Sequence, residues 1–193
     1  HPTACAISGL ALRTGRGVPV DIEAGKKADL FGCRLEQGAS CVRLLSDQIA
    51  KLSMNKESFE QLYKKTCAFL GSEGCFKKGQ EYLRVGQPNT DTMGELLLSA
   101  NCSTFKKPGS CLTIGDHYYV KGSDETNRKA AAVSFMTACK YNDMQGCFLA
   151  GWMVLGGEGA PAKREVSKEL LTKACTSGHQ NACKLLKLEF PSK

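Results

Sequence analysis

The chain has 193 residues, 42% hydrophobic and 23% charged, with a formal charge of +7, a composition that suits one soluble folded unit with an ordinary core. No apolar stretch approaches the roughly eighteen residues needed to span a bilayer as a helix. Eleven cysteines argue against a reducing compartment and for a secreted, periplasmic or comparable oxidising one.

The cysteines set the reading along the chain. Cys33/Cys41, Cys67/Cys75, Cys102/Cys111, Cys139/Cys147 and Cys175/Cys183 form pairs with seven residues between partners, eight in the third pair. Pairs recur every 34 to 37 residues, the step of a helix-turn-helix repeat array. Partners eight apart on one continuous helix would sit about 12 Å apart, beyond disulfide reach. Each pair therefore predicts a turn between two helices and a bridge across it. Gly38, Gly71 and Gly74, Pro108-Gly109, Asn142-Asp143 and Gly178 supply the turns.

In chain order, residues 1–21 read as the second half of a repeat, followed by five repeats over 22–54, 55–90, 91–124, 125–161 and 162–193. A leading helix ends at the first cysteine of each pair, with apolar residues four and five positions before it: Leu62/Tyr63, Leu97/Leu98, Phe135, Leu170/Leu171. A trailing helix starts at the second cysteine and carries glycine four residues later, at Gly9, Gly79, Gly115 and Gly151. An interior helix glycine costs about 1 kcal/mol against alanine, so its recurrence predicts close helix-helix approach. Leu45 and Lys187 replace it in two repeats, predicting looser packing at Leu45 and a capping helix at the end. Inter-repeat loops are glycine-rich at Gly15-Arg16-Gly17, Gly86, Gly122 and Gly156-Gly157-Glu158-Gly159. Cys5 lies 36 residues before Cys41, in the second-cysteine position, and is expected to be unpaired. The chain reads as starting mid-repeat, with any targeting segment removed; the alternative is a natural start with one free thiol.

At these residues a family resemblance becomes specific. Ala4-Cys5-Ala6-Ile7-Ser8-Gly9, continuing to Gly15-Arg16-Gly17-Val18-Pro19-Val20-Asp21, resembles a Sel1-like repeat. The stretch from Lys168 to Cys183 is similar to the cysteine-bridged Sel1 repeats of the Helicobacter cysteine-rich proteins and of a mitochondrial intermembrane-space assembly factor. The resemblance covers the whole chain. It implies an all-α fold, a right-handed α-solenoid of Sel1-like (TPR-like) helical hairpins, each clamped by a disulfide, and it leaves function open because such repeats serve many roles.

Some cysteine-rich members are described as binding or slowly hydrolysing β-lactams, and two Ser-x-x-Lys matches exist, Ser53 to Lys56 and Ser103 to Lys106. Their companions, Ser-Asp-Asn and Lys-Thr-Gly, are missing. The reading leans against an enzyme and assigns no catalytic residue. Seven-residue cysteine spacers fit bridges and not zinc, whose ligand pairs lie two to four residues apart. His117 and His179 belong to different repeats without ligand-spaced neighbours and read as a helix-face and a turn histidine. No metal and no cofactor is expected; the intermembrane-space relative leaves non-covalent haem a remote alternative. Asn101-Cys102-Ser103 is a glycosylation sequon by coincidence.

Charge is the remaining signal. Lys26-Lys27, Lys64-Lys65, Lys77-Lys78, Lys106-Lys107, Arg128-Lys129 and Lys163-Arg164 favour an acidic partner. Interspersed glutamates and the lack of alternating aromatics argue against nucleic acid. Repeat arrays hold partners along equivalent positions of successive leading helices. The row seven before each first cysteine is Lys26, Glu60, Glu95, Ala132, Lys168, and the row three before is Leu30, Lys64, Ser99, Met136, Thr172. These predict a concave protein-binding face. Three functions compete: an exported adaptor, inhibitor or host-directed factor; a β-lactam-binding protein; and an assembly factor of the intermembrane space.

Overall fold

A computed structural model describes residues 2–35, 37–51 and 56–191, with side chains described outside 2, 46, 48–60 and 89. The described residues form helices and connecting turns, with no strand among them. They fall into two compact units, residues 1–100 and 101–193.

The first unit runs α1 (Pro2–Thr14), α2 (Ile22–Arg34), α3 (Gly38–Lys51), α4 (Lys56–Val85) and most of α5 (Pro88–Thr104). Helix α4 is two helices joined at Gly71, whose φ of 69° and ψ of 169° break the helical path. That conformation suits a residue without Cβ. The second unit runs α6 (Pro108–Lys121), α7 (Glu125–Lys140), α8 (Met144–Gly156), α9 (Arg164–Thr176) and α10 (Gln180–Glu189). Leading helices are α2, the first half of α4, α5, α7 and α9; the rest are trailing helices. In the first unit α1, α2, α3 and α4 pack each on the next, and in the second α6 to α10 do the same; Leu98 of α5 meets Gly79 of α4. In each unit a trailing helix also touches the next one, α1 with α3 and α6 with α8.

Side-chain caps fix the helix starts. Asp21 accepts from the Ala24 N–H, Asp124 from that of Asn127 and Asp143 from that of Gly146, at 2.9, 3.0 and 2.7 Å. His179 Nδ1 does the same for Ala182 at 3.2 Å. These caps correct one expectation. The trailing helices begin three or four residues before their second cysteine, so that cysteine sits in the first turn of its helix. In the third hairpin the left-handed residue of the turn is Lys106, at φ 51°, while Pro108 and Gly109 already belong to α6. Gly122 is extended, with φ −174°.

All five predicted disulfides are present, Cys33–Cys41, Cys67–Cys75, Cys102–Cys111, Cys139–Cys147 and Cys175–Cys183. Cys5 is unbridged. The Cα–Cα separations, 4.4 to 5.1 Å, are those of ordinary bridges.

The recurring glycines sit at the seams between hairpins. A Cβ on Gly79 would meet Leu98 Cγ at 2.6 Å, and one on Gly151 would meet Leu171 Cγ at 2.9 Å. Gly9 faces Asp29 and Gly115 faces the Phe135 ring in the same manner. The partner always lies four residues before the next first cysteine. A second row of small residues, eight before that cysteine, lets the backbones approach: Gly25 faces Gly9 O, Gly94 faces Gly79 O, and Ser167 donates to Gly151 O at 2.8 Å. Gly115→Leu and Gly151→Leu are each expected to lower stability by about 1–3 kcal/mol through overpacking. Urea midpoints measure this, and unchanged midpoints at both sites would mean the seams open without penalty. Leu45 is fully buried, so the seam it enters is closed to solvent.

Candidate functional site

Helix periodicity within each repeat separates an inner from an outer face. Positions four and eight before the first cysteine point into the seams: Gly25 and Asp29, Gly94 and Leu98, Ala131 and Phe135, Ser167 and Leu171 are all buried. Solvent meets positions ten, six and three before it and one after, a stripe at i, i+4, i+7 and i+11. On α2 the stripe is Glu23, Lys27, Leu30 and Arg34; on α5 it is Thr92, Leu96, Ser99 and Ser103. On α7 it is Lys129, Val133, Met136 and Lys140, and on α9 Glu165, Glu169, Thr172 and Thr176.

The two predicted rows fare differently. From the row three before the cysteine, Leu30, Lys64, Ser99 and Thr172 are exposed, and Met136 is half-buried against the Phe135 cluster. The row seven before lies on the border between buried and exposed faces. Ala132 is fully buried and offers no surface, which removes it from any binding face. Lys26 is half-buried and paired with Glu23 at 2.5 Å. Glu95 is half-buried. Lys168 is exposed, with its ammonium 5.8 Å from the Phe190 ring. Glu60 lies outside the described side chains, as do Ser53 and Lys56.

The other candidates take structural places. Ser103 is exposed in the last turn of α5, and Lys106 follows in the turn. Asn101 is buried and donates to Ser110 Oγ at 2.8 Å, so the sequon is closed to a glycan in the folded chain. His117 lies edge-on to Tyr118 with centroids 5.7 Å apart. His179, besides capping α10, stacks on Phe148 at 4.8 Å and bonds Gln145 at 2.8 Å. No cluster of metal-ligating side chains occurs among the described residues. No described helix is long and apolar enough to cross a membrane.

One charged cluster has no counterpart in the sequence reading. Asp29 occupies the seam position held elsewhere by Tyr63, Leu98, Phe135 and Leu171, and it has no solvent exposure. Arg43 Nε donates to its two oxygens at 3.0 and 3.1 Å, and Arg13 Nε pairs with it at 2.6 Å. Arg13 also donates to Asp47 at 2.9 Å, and Arg43 reaches the Ala6 carbonyl at 2.7 Å. Hydrogen bonding to Asp47 leads in raising the Arg13 guanidinium above its ordinary range. Helices α1, α2 and α3 are thus tied by alternating charges. The sequence signal was an acid at an apolar register, with arginines on both neighbouring helices.

No protein-family model and no curated protein matches the sequence. Solved structures do. A Sel1 repeat protein of Oxalobacter formigenes superposes with a TM-score of 0.50 at 15% identity, covering 97% of this chain and 75% of that one. A protective antigen of uropathogenic Escherichia coli strains displaying an SLR fold gives 0.55 at 16% identity, covering 99% of this chain and 42% of that one. The chain thus spans under half the antigen's length. Helicobacter pylori cysteine rich protein B gives 0.45 at 25% identity, covering 65% of this chain and 90% of that one. Helical hairpins recurring every 34 to 37 residues, small residues at their seams and the first two of these neighbours give one conclusion: the chain has the fold of the Sel1-like repeat proteins.

Proposed function

We propose that the chain is an exported repeat protein that binds another protein, acidic on its contact surface, through the exposed stripes of its leading helices. The observation that carries this is α7, where Val133, 52% exposed, and half-buried Met136 stand between exposed Lys129 and Lys140. A small apolar centre with a charged rim is the usual anatomy of a protein contact. Leu30 with Lys27 and Arg34 on α2 repeats the arrangement. Five disulfides support a secreted or periplasmic setting; the intermembrane space is the alternative. No observation favours the β-lactam reading, and nitrocefin turnover by the pure protein tests it directly.

Capture of the partner from the native compartment, followed by affinity measurement, tests the proposal. Affinity is expected to fall as salt rises through 0.1 M, where screening acts beyond about 10 Å. Lys64→Glu and Met136→Glu are expected to weaken binding about tenfold or more. Lys77→Glu and Lys107→Glu, on the trailing half of α4 and at the start of α6, are expected to change it little. Indifference to the first pair with loss on the second would move the site to the hairpin edge and defeat the reading.

A further inference from the structure

We propose that residues 101–193 carry a second binding surface, on the outward faces of the trailing helices α6, α8 and α10, that docks on an anionic phospholipid layer. It lies on helices other than those proposed to bind protein, and neither reading depends on the other.

Helix α8 contains no acidic or basic residue from Met144 to Gly156. It exposes Trp152, the only tryptophan of the chain, with 36% of its surface open. The indole meets the Tyr119 ring of α6 edge-on, centroids 5.8 Å apart. One turn earlier on α8, Phe148 stacks on His179, the cap of α10. The three trailing helices are therefore neighbours.

Each adds an outward apolar tip. Val120 on α6 is 84% exposed and Leu188 on α10 is 74% exposed, more than any other large hydrophobic residue among the described ones. Trp152 and Leu188 each lie five residues after their second cysteine, and Val120 one turn further along its helix. In the first unit those registers hold Leu10, also exposed, and Thr14 on α1, and Gln80 and the exposed Arg84 on α4. The repeat fold therefore does not itself require apolar side chains there.

Lysines interleave the tips. Lys121 follows Val120, and Lys184 and Lys187 precede Leu188 on exposed positions of α10. Of the carboxylates near α6 and α8, Asp143 is committed to the Gly146 N–H. Asp116, exposed on α6 at the register of Trp152 and Leu188, has its carboxyl shifted upward by partial burial and then by Asp143, and it is the one acidic side chain in that row. Over residues 101–193, thirteen Lys and Arg face eight Asp and Glu.

The charge pattern selects the occupant. A fluid headgroup layer takes each tip separately, seats tryptophan and tyrosine at its boundary and offers phosphates to the lysines.

Because Trp152 is the sole tryptophan, its emission reports from this face alone. The oxidised chain is titrated with phosphatidylglycerol–phosphatidylcholine vesicles and with phosphatidylcholine vesicles, reading Trp152 emission and co-flotation. The expected result is a blue shift and flotation with the anionic vesicles and neither with the neutral ones. Lys184→Ala and Lys187→Ala should each lower partitioning about fivefold, the worth of one basic residue at such a surface. Val120→Glu and Leu188→Glu should lower it further, with helical content unchanged, while Arg84→Gln in the first unit should not alter it. No shift with anionic vesicles, or unaltered binding by both glutamate variants, would overturn the proposal. So would a blue shift that grows with protein concentration without vesicles, which would mean that a second copy covers the face.

Discussion

Asp29→Leu is expected to destabilise the protein by about 3–5 kcal/mol, although leucine is what the equivalent seams carry at Leu98 and Leu171. The substitution removes the shared partner of Arg13 and Arg43, whose side chains are only 13% and 21% exposed. Two guanidinium groups would then remain in a closed seam with Asp47 alone to answer them. Breaking a buried ion pair by removing one partner costs several kcal/mol because a charge is left uncompensated. Replacing the whole group with apolar side chains of similar volume is often neutral. The triple variant Arg13→Met, Asp29→Leu, Arg43→Leu leaves only Asp47 of the group, whose side chain is 24% exposed and so open to water, and is therefore expected to recover most of the loss. Urea unfolding of wild type, single and triple variants reads this as a thermodynamic cycle. A single variant within 1 kcal/mol of wild type, or a triple variant as unstable as the single, would show that the charges do not act as a unit.

Reduction of the disulfides is the second large effect. Each bridge closes a loop of about nine residues, worth roughly 2.5 kcal/mol in the chain-entropy treatment. Five such terms are comparable with the whole net stability of a domain, about 5–15 kcal/mol. Full reduction is expected to lower the thermal midpoint by more than about 20 °C or to leave no cooperative transition. The paired change Cys139→Ser with Cys147→Ser should cost about 2–4 kcal/mol by itself. Calorimetry with and without reductant measures the first, and an unchanged midpoint would mean the hairpins hold without their bridges. Non-reducing peptide mapping should recover each bridge within its own hairpin.

The fold was legible because its signals are covalent or periodic. Cysteine spacing forced a turn inside every pair, and glycine four residues past the second cysteine marked the seams that Leu98 and Leu171 fill. Helix ends were less legible. A cap such as Asp143 or His179 starts its helix before the cysteine does, and capping residues leave no period to count. The binding rows show the limit of register arithmetic. Residues three and seven before the cysteine share a side of an ideal helix, yet Ala132 falls on the flank that closes against its neighbour while Thr172 stays open. One step of 100° around a helix separates interior from surface, and sequence periodicity does not resolve which flank a neighbour covers. Asp29 was missed for another reason: an acid at an apolar register gains its meaning only once three helices are assembled and Arg13 and Arg43 meet it from either side.

The seams have a consequence for how such a chain can evolve. Every hairpin is locked to itself by sulfur, while successive hairpins meet through one protruding side chain and one receiving surface. Those protrusions differ: a carboxylate at Asp29, an isobutyl group at Leu98, a benzyl ring at Phe135. Each junction therefore carries its own address, and the order of hairpins is written in the junctions. Transplanting the 22–54 hairpin behind Gly115 would drive a carboxylate into a receptacle shaped for a ring, with Arg43 travelling beside it but Arg13 left behind. Duplication in place is cheap for this architecture, whereas reordering demands that both halves of a junction change together.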